Sequence, residues 1–242
     1  MIVLFTDFGL AGPYVGQMKA VLHNDAPQHP VVDLMADAPR FDPKASAYLL
    51  AAYASGFACG SVFLCVVDPG VGGARAPLAI EADGRWYVGP DNGLLALVAR
   101  RAAAVRAWHL TWRPERLSAS FHGRDLFAPV AARLAAGQAP PGEAIEPAAL
   151  AGSDWPDDLA EIVYLDSYGN AMTGLRASGL APQSRLRVAG HRLSPSRTFS
   201  DVAPGQAFWY ENANGLAEVA VNQGSAVAAL GLAVGQTVAV EA

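Results

Sequence analysis

The feature that most constrains this chain is a series of short apolar segments that alternate with helical ones. Ile2–Phe5, Val31–Met35 and Ser61–Val67 have strand length, and runs of this kind are typical of buried strands. Pro13 opens a helical segment after the first run, and Asp42-Pro43 combines a cap with a first-turn proline after the second. The alternation predicts an α/β domain with a mainly parallel sheet covered by helices.

A hairpin interrupts this alternation. Asp83-Gly84 separates Pro77–Ala82 from Arg85–Val88, and this dipeptide is the strongest short hairpin signal in the sequence. One further strand and two further helices complete the predicted domain. The strand is Val105–Leu110, and the helices are Gly93–Arg101 and Asp125–Ala136.

The pattern changes after Gly137. Residues 139–160 contain four prolines and several small residues, which predicts a linker. From Glu161 onward short strands alternate with turns, and no long amphipathic helix is evident. We expect an α/β domain over residues 1–138, the linker over 139–160, and a small all-β domain over 161–242. Its predicted strands are Ile162–Leu165, Arg185–Val188, Ala207–Tyr210, Glu218–Val221 and Thr237–Val240.

Composition argues against several classes of function. Apolar residues make up 52% of the chain and charged residues 16%, which suits a packed core rather than disorder. The net charge is −5 and the arginines are scattered, so neither a nucleic-acid nor a membrane partner is expected. Cys59 and Cys65 are too few for a disulfide framework. With no signal-peptide pattern and no membrane-length apolar run, the sequence predicts a cytoplasmic protein.

Three polar turns follow predicted strands, and a fourth precedes the last predicted helix. Turn formation explains any one of them, because Gly, Pro, Asn and Asp favour turns for backbone reasons. Ligands in open parallel sheets bind at the carboxyl ends of the strands, so four such turns bearing Asp, Arg and His favour a site. The turns are Thr6-Asp7-Phe8-Gly9, Asp68-Pro69-Gly70-Val71-Gly72-Gly73-Ala74-Arg75, Gly89-Pro90-Asp91-Asn92-Gly93 and Ser120-Phe121-His122-Gly123-Arg124-Asp125.

Individual residues in these turns leave alternatives open. Asp7 is placed either to cap the following helix or to accept hydrogen bonds from a hydroxyl pair such as a ribose. His122 is either packed in a helix-capping region or directed into a cleft. Gly70–Gly73 lacks the features of a phosphate-binding loop and predicts a tight turn. No histidine spacing is typical of a metal site, so neither a metal nor a bound cofactor is expected.

Taken together, six ordered motifs resemble the S-adenosylmethionine (SAM) hydrolase, or hydroxide adenosyltransferase, family, which is related to the fluorinases and chlorinases. The resemblance extends from Met1 to the C-terminal β segment. The motifs are Thr6-Asp7-Phe8-Gly9, Tyr14-Val15-Gly16-Gln17-Met18-Lys19, Asp68-Pro69-Gly70-Val71-Gly72, Gly89-Pro90-Asp91-Asn92-Gly93, Phe121-His122-Gly123-Arg124-Asp125 and Asp166-Ser167-Tyr168-Gly169-Asn170.

The resemblance implies a barrel-like C-terminal domain and a homotrimer with active sites between the N-terminal domain of one subunit and the C-terminal domain of the next. It implies hydrolysis of SAM to adenosine and L-methionine. By position, Asp68, Arg75 and His122 resemble the residues that handle the water, with His122 as base or as positioning group. The implied substrate contacts are Asp7 at the ribose, Phe41 beside the ligand, Asp166, Tyr168 and Asn170 in the C-terminal domain, and Asn222 and Ala226 in the terminal loop.

Two departures from the family pattern and two alternative functions remain. Gly12-Pro13 stands where the family usually carries a second Asp, and Ala213 stands where a Ser is common.

One alternative is a halogenase-like transferase, although the anionic Asp68 is expected to repel halide and the halogenase relatives lack that carboxylate. The other is a non-catalytic SAM or adenosine sensor, which has no need of Asp68, Arg75 and His122.

Overall fold

The computed structural model describes residues 1–241, which divide into two compact units, Met1–Trp155 and Pro156 onward. The first unit is built on a seven-stranded sheet with the order β2-β1-β3-β5-β4-β6-β7. Its strands are β1 (Ile2–Thr6), β2 (Val31–Met35), β3 (Val62–Val66), β4 (Pro77–Ala82), β5 (Arg85–Pro90), β6 (Val105–Leu110) and β7 (Gly142–Ile145). Its α-helices are α1 (Tyr14–Asp25), α2 (Pro43–Tyr53), α3 (Ala96–Arg101) and α4 (Ala128–Ala135).

The sheet is mixed, with most strands pointing one way. β2, β1, β3 and β5 are parallel neighbours, whereas β4 is antiparallel to both β5 and β6, and β7 is antiparallel to β6. Five strands therefore share one direction, and β4 and β7 oppose it. The reversal at β4 comes from the Asp83-Gly84 hairpin, which the structure confirms.

The predicted apolar strands form the core of this unit. Every residue of β1 and β3 is buried. Ile2 and Leu4 point to the same face of the sheet, as residues two apart in a strand do, and pack in one apolar cluster with Met18 of α1 and Val130 of α4. The carboxyl ends of β1 and β3, next to Asp7 and Asp68, are thereby fixed to a rigid, helix-covered layer.

The predicted cap of α2 is also confirmed. The Asp42 carboxylate accepts a hydrogen bond from the Ala45 amide at 2.9 Å, and Pro43 occupies the first turn. Such a cap stabilises a helix by about 1 kcal/mol. α2 therefore begins two residues after Phe41, whose backbone takes part in the candidate site.

The second unit contains two antiparallel sheets, with strand orders β11-β10-β14 and β12-β13-β9-β8. These pairings do not confirm a barrel. The unit also holds a short helix, α5 (Ala226–Leu230). The strands are β8 (Leu159–Leu165), β9 (Ala171–Arg176), β10 (Arg185–Val188), β11 (His191–Leu193), β12 (Ala207–Glu211), β13 (Leu216–Val221) and β14 (Ala239–Glu241).

Residues 139–160, predicted as a linker, carry regular structure. They include β7, a 3-10 turn at Pro147–Ala149 and the start of β8. The domain limits at residues 138 and 160 stay predictions. None of the helices in residues 1–241 combines the length and hydropathy needed to cross a bilayer.

Candidate active site

Asp68 and Arg75 form a buried ion pair at the carboxyl end of β3. Arg75 Nε donates to both carboxylate oxygens, at 3.1 Å to Oδ1 and 3.0 Å to Oδ2, and Arg75 Nη2 also donates to Oδ2. The side chains are only 4% and 10% exposed. A guanidinium that meets a carboxylate through two nitrogens fixes its orientation as well as its charge. Asp68 is therefore held as an oriented carboxylate.

The same guanidinium joins His122 to this pair. Arg75 Nη2 lies 2.9 Å from His122 Nδ1. Arginine has donors and no acceptor, so Nδ1 must carry the lone pair and the ring proton must lie on Nε2. Burial lowers the pKa of His122, and the nearby Arg75 cation lowers it further. His122 is therefore a neutral imidazole with a donating Nε2–H.

Close backbone approach holds the segment of Asp68 and Arg75 against the segment of His122. Gly72 has φ +78°, and a Cβ at this position would lie 2.4 Å from the Ala119 carbonyl oxygen. The turn that carries Asp68 and Arg75 therefore lies directly against the segment that leads to His122. Only glycine satisfies both the backbone angle and this contact.

A π-helical turn, Gly123–Phe127, follows His122 directly. Such turns are rare and occur often at functional sites. Asp125 Oδ2 accepts from the Ser118 amide at 2.8 Å, which ties the turn to the preceding loop. A Cβ on Gly123 would lie 3.0 Å from Met18 Sδ, so α1 lies close against this turn. The turn that follows His122 is thus held by the preceding loop on one side and by α1 on the other.

Asp68 and His122 face a cavity of about 170 Å³. Its aromatic wall consists of Phe8, Tyr14 and Phe121, whose ring centroids are 5.3–5.9 Å apart. The cavity thus places an oriented carboxylate and an imidazole N–H beside an apolar wall. The lining residues are Phe8, Tyr14, Val66, Asp68, Val71, Ser120, Phe121, His122 and Gly123.

Asp7 does not cap α1, which begins without a side-chain cap bond. Its Oδ2 instead accepts from the Phe41 amide at 3.1 Å. Burial raises the pKa of Asp7, while the Phe41 N–H and the Arg40 cation act in the opposite direction. Phe41 has φ +60° and a 75% exposed side chain. A bulky residue in this backbone region is strained, and such strain often accompanies ligand sites.

In the second unit, Asp166, Tyr168 and Asn170 border one cavity of about 620 Å³. Asp166 Oδ1 accepts from the backbone amides of Tyr168 and Asn170, at 2.9 and 2.8 Å, and Asp166 Oδ2 accepts from the Asn170 side chain at 2.9 Å. The carboxylate therefore shapes its own turn. Tyr168 is 80% exposed and presents a free ring face.

The last two predicted residues belong to the same unit but not to this lining. Asn222 is between two lining residues, Val221 and Gln223, yet its side-chain amide donates to the Val202 carbonyl at 2.7 Å. Ala226 is fully buried as the first residue of α5. In this structure both residues support the terminal loop.

Comparison with known proteins agrees with this arrangement. Residues 2–144 match the SAM hydroxide adenosyltransferase N-terminal domain, and residues 160–239 match the C-terminal domain of the same family. The chain belongs to the SAM hydroxide adenosyltransferase family. The resemblance found in the sequence motifs is confirmed.

Relatives of similar length carry a consistent name. The chain is 41% identical over 257 residues to a Thermus thermophilus protein named (R)-S-adenosyl-L-methionine hydrolase, with 98% of each chain covered. It is 39% identical to a Salinispora tropica protein of the same name, covering 98% of this chain and 96% of that one. A fluorinase of Actinopolyspora mzabensis is 24% identical, covering 93% and 91%. The halogenating relatives are therefore more distant.

Solved structures with the same fold match this chain over nearly its whole length. An uncharacterized conserved protein from Thermotoga maritima superimposes with a TM-score of 0.88 at 28% identity, with both chains covered completely. A conserved hypothetical protein from Thermus thermophilus gives a TM-score of 0.79 at 38% identity, covering 99% of this chain and 98% of that one.

Against this family background, the structure adds residues that sequence reasoning did not assign. Tyr14, Ser120 and Phe121 line the cavity beside Asp68 and His122. Their motifs were visible in the sequence, but nothing there distinguished a wall of the site from an ordinary core contact. Within residues 1–241, no three His, Cys, Asp or Glu side chains are grouped closely enough to hold a metal ion.

Proposed function

We propose that this protein is a SAM hydrolase in which water attacks the 5′ carbon of the adenosyl group, releasing adenosine and L-methionine. The observation that carries the proposal is the contact of Asp68, Arg75 and His122 beside one cavity. Relatives about 40% identical over nearly the whole chain are named as hydrolases of this substrate, which supports it.

The reaction needs a positioned nucleophile more than an acid. The oxygen of water forms a bond to the 5′ carbon while the carbon–sulfur bond breaks. The electron pair of that bond goes to the sulfonium, which leaves as a neutral thioether and needs no proton. Holding water in line with the breaking bond can itself supply about 7–11 kcal/mol through entropy that is no longer lost on reaction.

The three side chains take separate roles in this proposal. Asp68 accepts the hydrogen bond of the water and takes up its proton, because its carboxylate oxygens can accept a further hydrogen bond beyond those from Arg75. His122 donates through Nε2–H to the water oxygen and positions it, since Nδ1 is occupied by Arg75. Arg75 holds the Asp68 carboxylate in one orientation through its Nε and Nη2 donors and, having no acceptor, does not act as base.

Substrate contacts are distributed over both units. We assign Asp7 to the ribose hydroxyls, because its carboxylate lies at the end of β1 with acceptor capacity beyond the Phe41 amide. The exposed rings of Phe41 and Tyr168 offer faces for the adenine. Asp166, Asn170, Asn222 and Ala226 shape the C-terminal contribution, and the barrel-like form of that domain also remains a proposal.

We further propose a homotrimer, in which the first unit of one subunit and the second unit of the next complete each site. The exposure of large apolar side chains around the candidate residues supports an assembly that covers them. These side chains are Leu10, Tyr14, Phe41 and Tyr168. A cytoplasmic location is part of the same proposal, supported by the unpaired thiols of Cys59 and Cys65.

The proposal is tested by incubating EDTA-treated protein with SAM in ¹⁸O-labelled water and excess chloride, followed by chromatography and mass spectrometry. We expect methionine without label and adenosine labelled at its 5′ oxygen. Asp68→Asn, which keeps the shape of the side chain, is expected to lower turnover by about 100-fold or more while adenosine still binds. Asp33→Asn on the surface is the matched control.

Three outcomes would contradict it. A chlorinated nucleoside would indicate a halogenase, and methylthioadenosine with labelled homoserine would place the attack on the amino-acid side of the sulfur. Adenosine or SAM binding without any turnover would indicate a sensor.

A further inference from the structure

The turn Gly89–Gly93 has no role in the proposed chemistry. It nevertheless forms hydrogen bonds at both ends of residues 68–75, the turn that carries Asp68 and Arg75 and is called the catalytic turn below. Asn92 Nδ2 donates to the Val67 carbonyl at 2.9 Å, directly before Asp68. The backbone amide of Asp91 donates to the Ala76 carbonyl at 2.9 Å, directly after Arg75. One turn therefore holds the entry and the exit of the segment that carries the ion pair.

The Asn92 bond acts where regular pairing has stopped. The parallel register of β3 and β5 ends at Leu64↔Val88. Beyond it, a Cβ on Gly89 would lie 2.3 Å from the Cys65 carbonyl oxygen, so the two backbones still approach closely. The Asn92 side chain then supplies a cross-strand donor at Val67 that the ladder does not.

We infer that Asn92 is a positioning residue, which sets the orientation of Asp68 and Arg75 through the Val67 carbonyl without touching the water or the substrate. The inference rests on the proposed function, because it concerns the placement of the proposed base. A small displacement of catalytic groups costs up to about 100-fold in rate even when binding is retained. The signature of this role is therefore a fall in kcat with little change in substrate affinity.

Asn92 makes a second bond that allows the role to be separated from turn stability. Asn92 Oδ1 accepts from the Leu94 amide at 3.2 Å, as Asn and Asp both do in turns. Asn92→Asp keeps this acceptor and the shape of the side chain but removes the donor to Val67. If Asn92 only stabilises the turn, Asn92→Asp retains parental kcat; if it positions Asp68, kcat falls.

The experiment compares kcat, KM, adenosine affinity and Tm for the parent, Asn92→Asp and Asn92→Ala. We expect both variants to lower kcat by about tenfold or more, with KM and adenosine affinity close to the parent's. Asn92→Ala introduces no charge, so a comparable fall in both variants assigns the effect to the lost donor. It also keeps the test valid should Asn92→Asp fail to fold.

The matched control is Asp83→Asn, the reverse exchange at the other end of the same β4–β5 hairpin. Asp83 accepts from the amides of Ala103 and Ala104 and lies away from the catalytic turn. Its kcat is expected to match the parent's. If either folded Asn92 variant keeps the parental kcat, or if KM changes by the same factor as kcat, the inference is overturned and the proposed function is not affected. An inactive parent would overturn the proposed function and this inference with it.

Discussion

Arg75 donates the two hydrogens of one nitrogen to different partners, and this arrangement determines the tautomer of His122. Nη2 donates to Asp68 Oδ2 and to His122 Nδ1. The imidazole is left with a proton on Nε2, where it can donate but not accept. The sequence left base and positioning roles open, and the contact favours the positioning role.

The protonation state gives a prediction about pH. Burial and Arg75 lower the pKa of His122, with Asp68 and Asp125 opposing them, so the ring stays neutral somewhat below its ordinary value of about 6.5. Because the unfolded chain binds this proton more readily, the group favours folding above that value and loses its contribution as pH falls through the lowered pKa.

We therefore expect kcat to stay constant as pH falls through about 6.5 and to decline only below it. The check is a titration by ¹⁵N NMR of the imidazole, run beside a free histidine peptide. A His122 signal that titrates with the peptide, or a proton found on Nδ1, would contradict the assigned tautomer.

At this scale the polar turns and ordered motifs singled out Asp7, Asp68, Arg75 and His122 as candidates, because the ends of strands collect such residues. The structure brings the last three of them into contact. The orientation of the His122 ring was not predictable, since it depends on one contact between residues 47 positions apart. Tyr14 and Phe121 were not assigned, because aromatic side chains on helices and turns most often belong to a core.

At the scale of elements, the fully apolar strands were the easiest to predict, and two strands that contain glycine, β7 and β9, were missed. β7 begins at Gly142, where a Cβ would lie 2.1 Å from the His109 carbonyl oxygen. β9 contains Gly174, where a Cβ would lie 2.6 Å from Leu159 Cβ. In both strands glycine permits close approach to a partner strand, which only tertiary pairing reveals.

The β12–β13 hairpin carries a buried acid that offers a prediction about stability. Glu218 is 2% exposed and accepts hydrogen bonds from the Tyr210 hydroxyl at 2.7 Å and from Asn212 Nδ2 at 2.8 Å. Burial raises the pKa of Glu218, and the Asp166 charge adds to this effect. Folding therefore disfavours the ionised form, and stability falls as pH rises from the ordinary pKa through the raised one.

We expect Glu218→Gln to raise Tm by about 2–4 °C at pH 8 and by less at pH 5, where the parent side chain is closer to neutral. A Gln side chain can still accept from Asn212 while donating to the Tyr210 oxygen. Thermal unfolding at the two pH values is the measurement, with the exposed neighbour Glu211→Gln as control. A lower Tm at pH 8, or a gain independent of pH, would show that ionisation of Glu218 is not the cause.

For the whole molecule, the sequence predicted two domains of different character, and the structure has two units of these kinds. The seven-stranded sheet is mixed and mostly parallel, in agreement with the expected mainly parallel sheet. β4 and β7 are the strands that run against the common direction, since both pair antiparallel with their neighbours. Assembly is beyond what patterning within one chain reveals, because a surface that binds another copy has no periodicity of its own.

The proposed trimer makes a quantitative prediction for mixed oligomers. If each site combines the first unit of one subunit with the second unit of the next, two differently disabled chains can restore each other. Asp68→Asn disables the first unit, and Tyr168→Ala removes an exposed ring of the second without disturbing its core. In a head-to-tail ring of three that contains both variants, one site receives two intact halves, which is about a third of the sites.

Co-expression of the two variants with different tags, followed by purification through both, selects such mixed rings and is expected to give about a third of parental activity at SAM concentrations below KM. Light scattering of the parent is expected to give three times the chain mass of 25.2 kDa. Activity equal to the mean of the two separately assayed variants would mean that each site is complete within one chain. A fully active monomer would refute the assembly directly, because the exposed rings of Phe41 and Tyr168 would then need no second subunit to cover them.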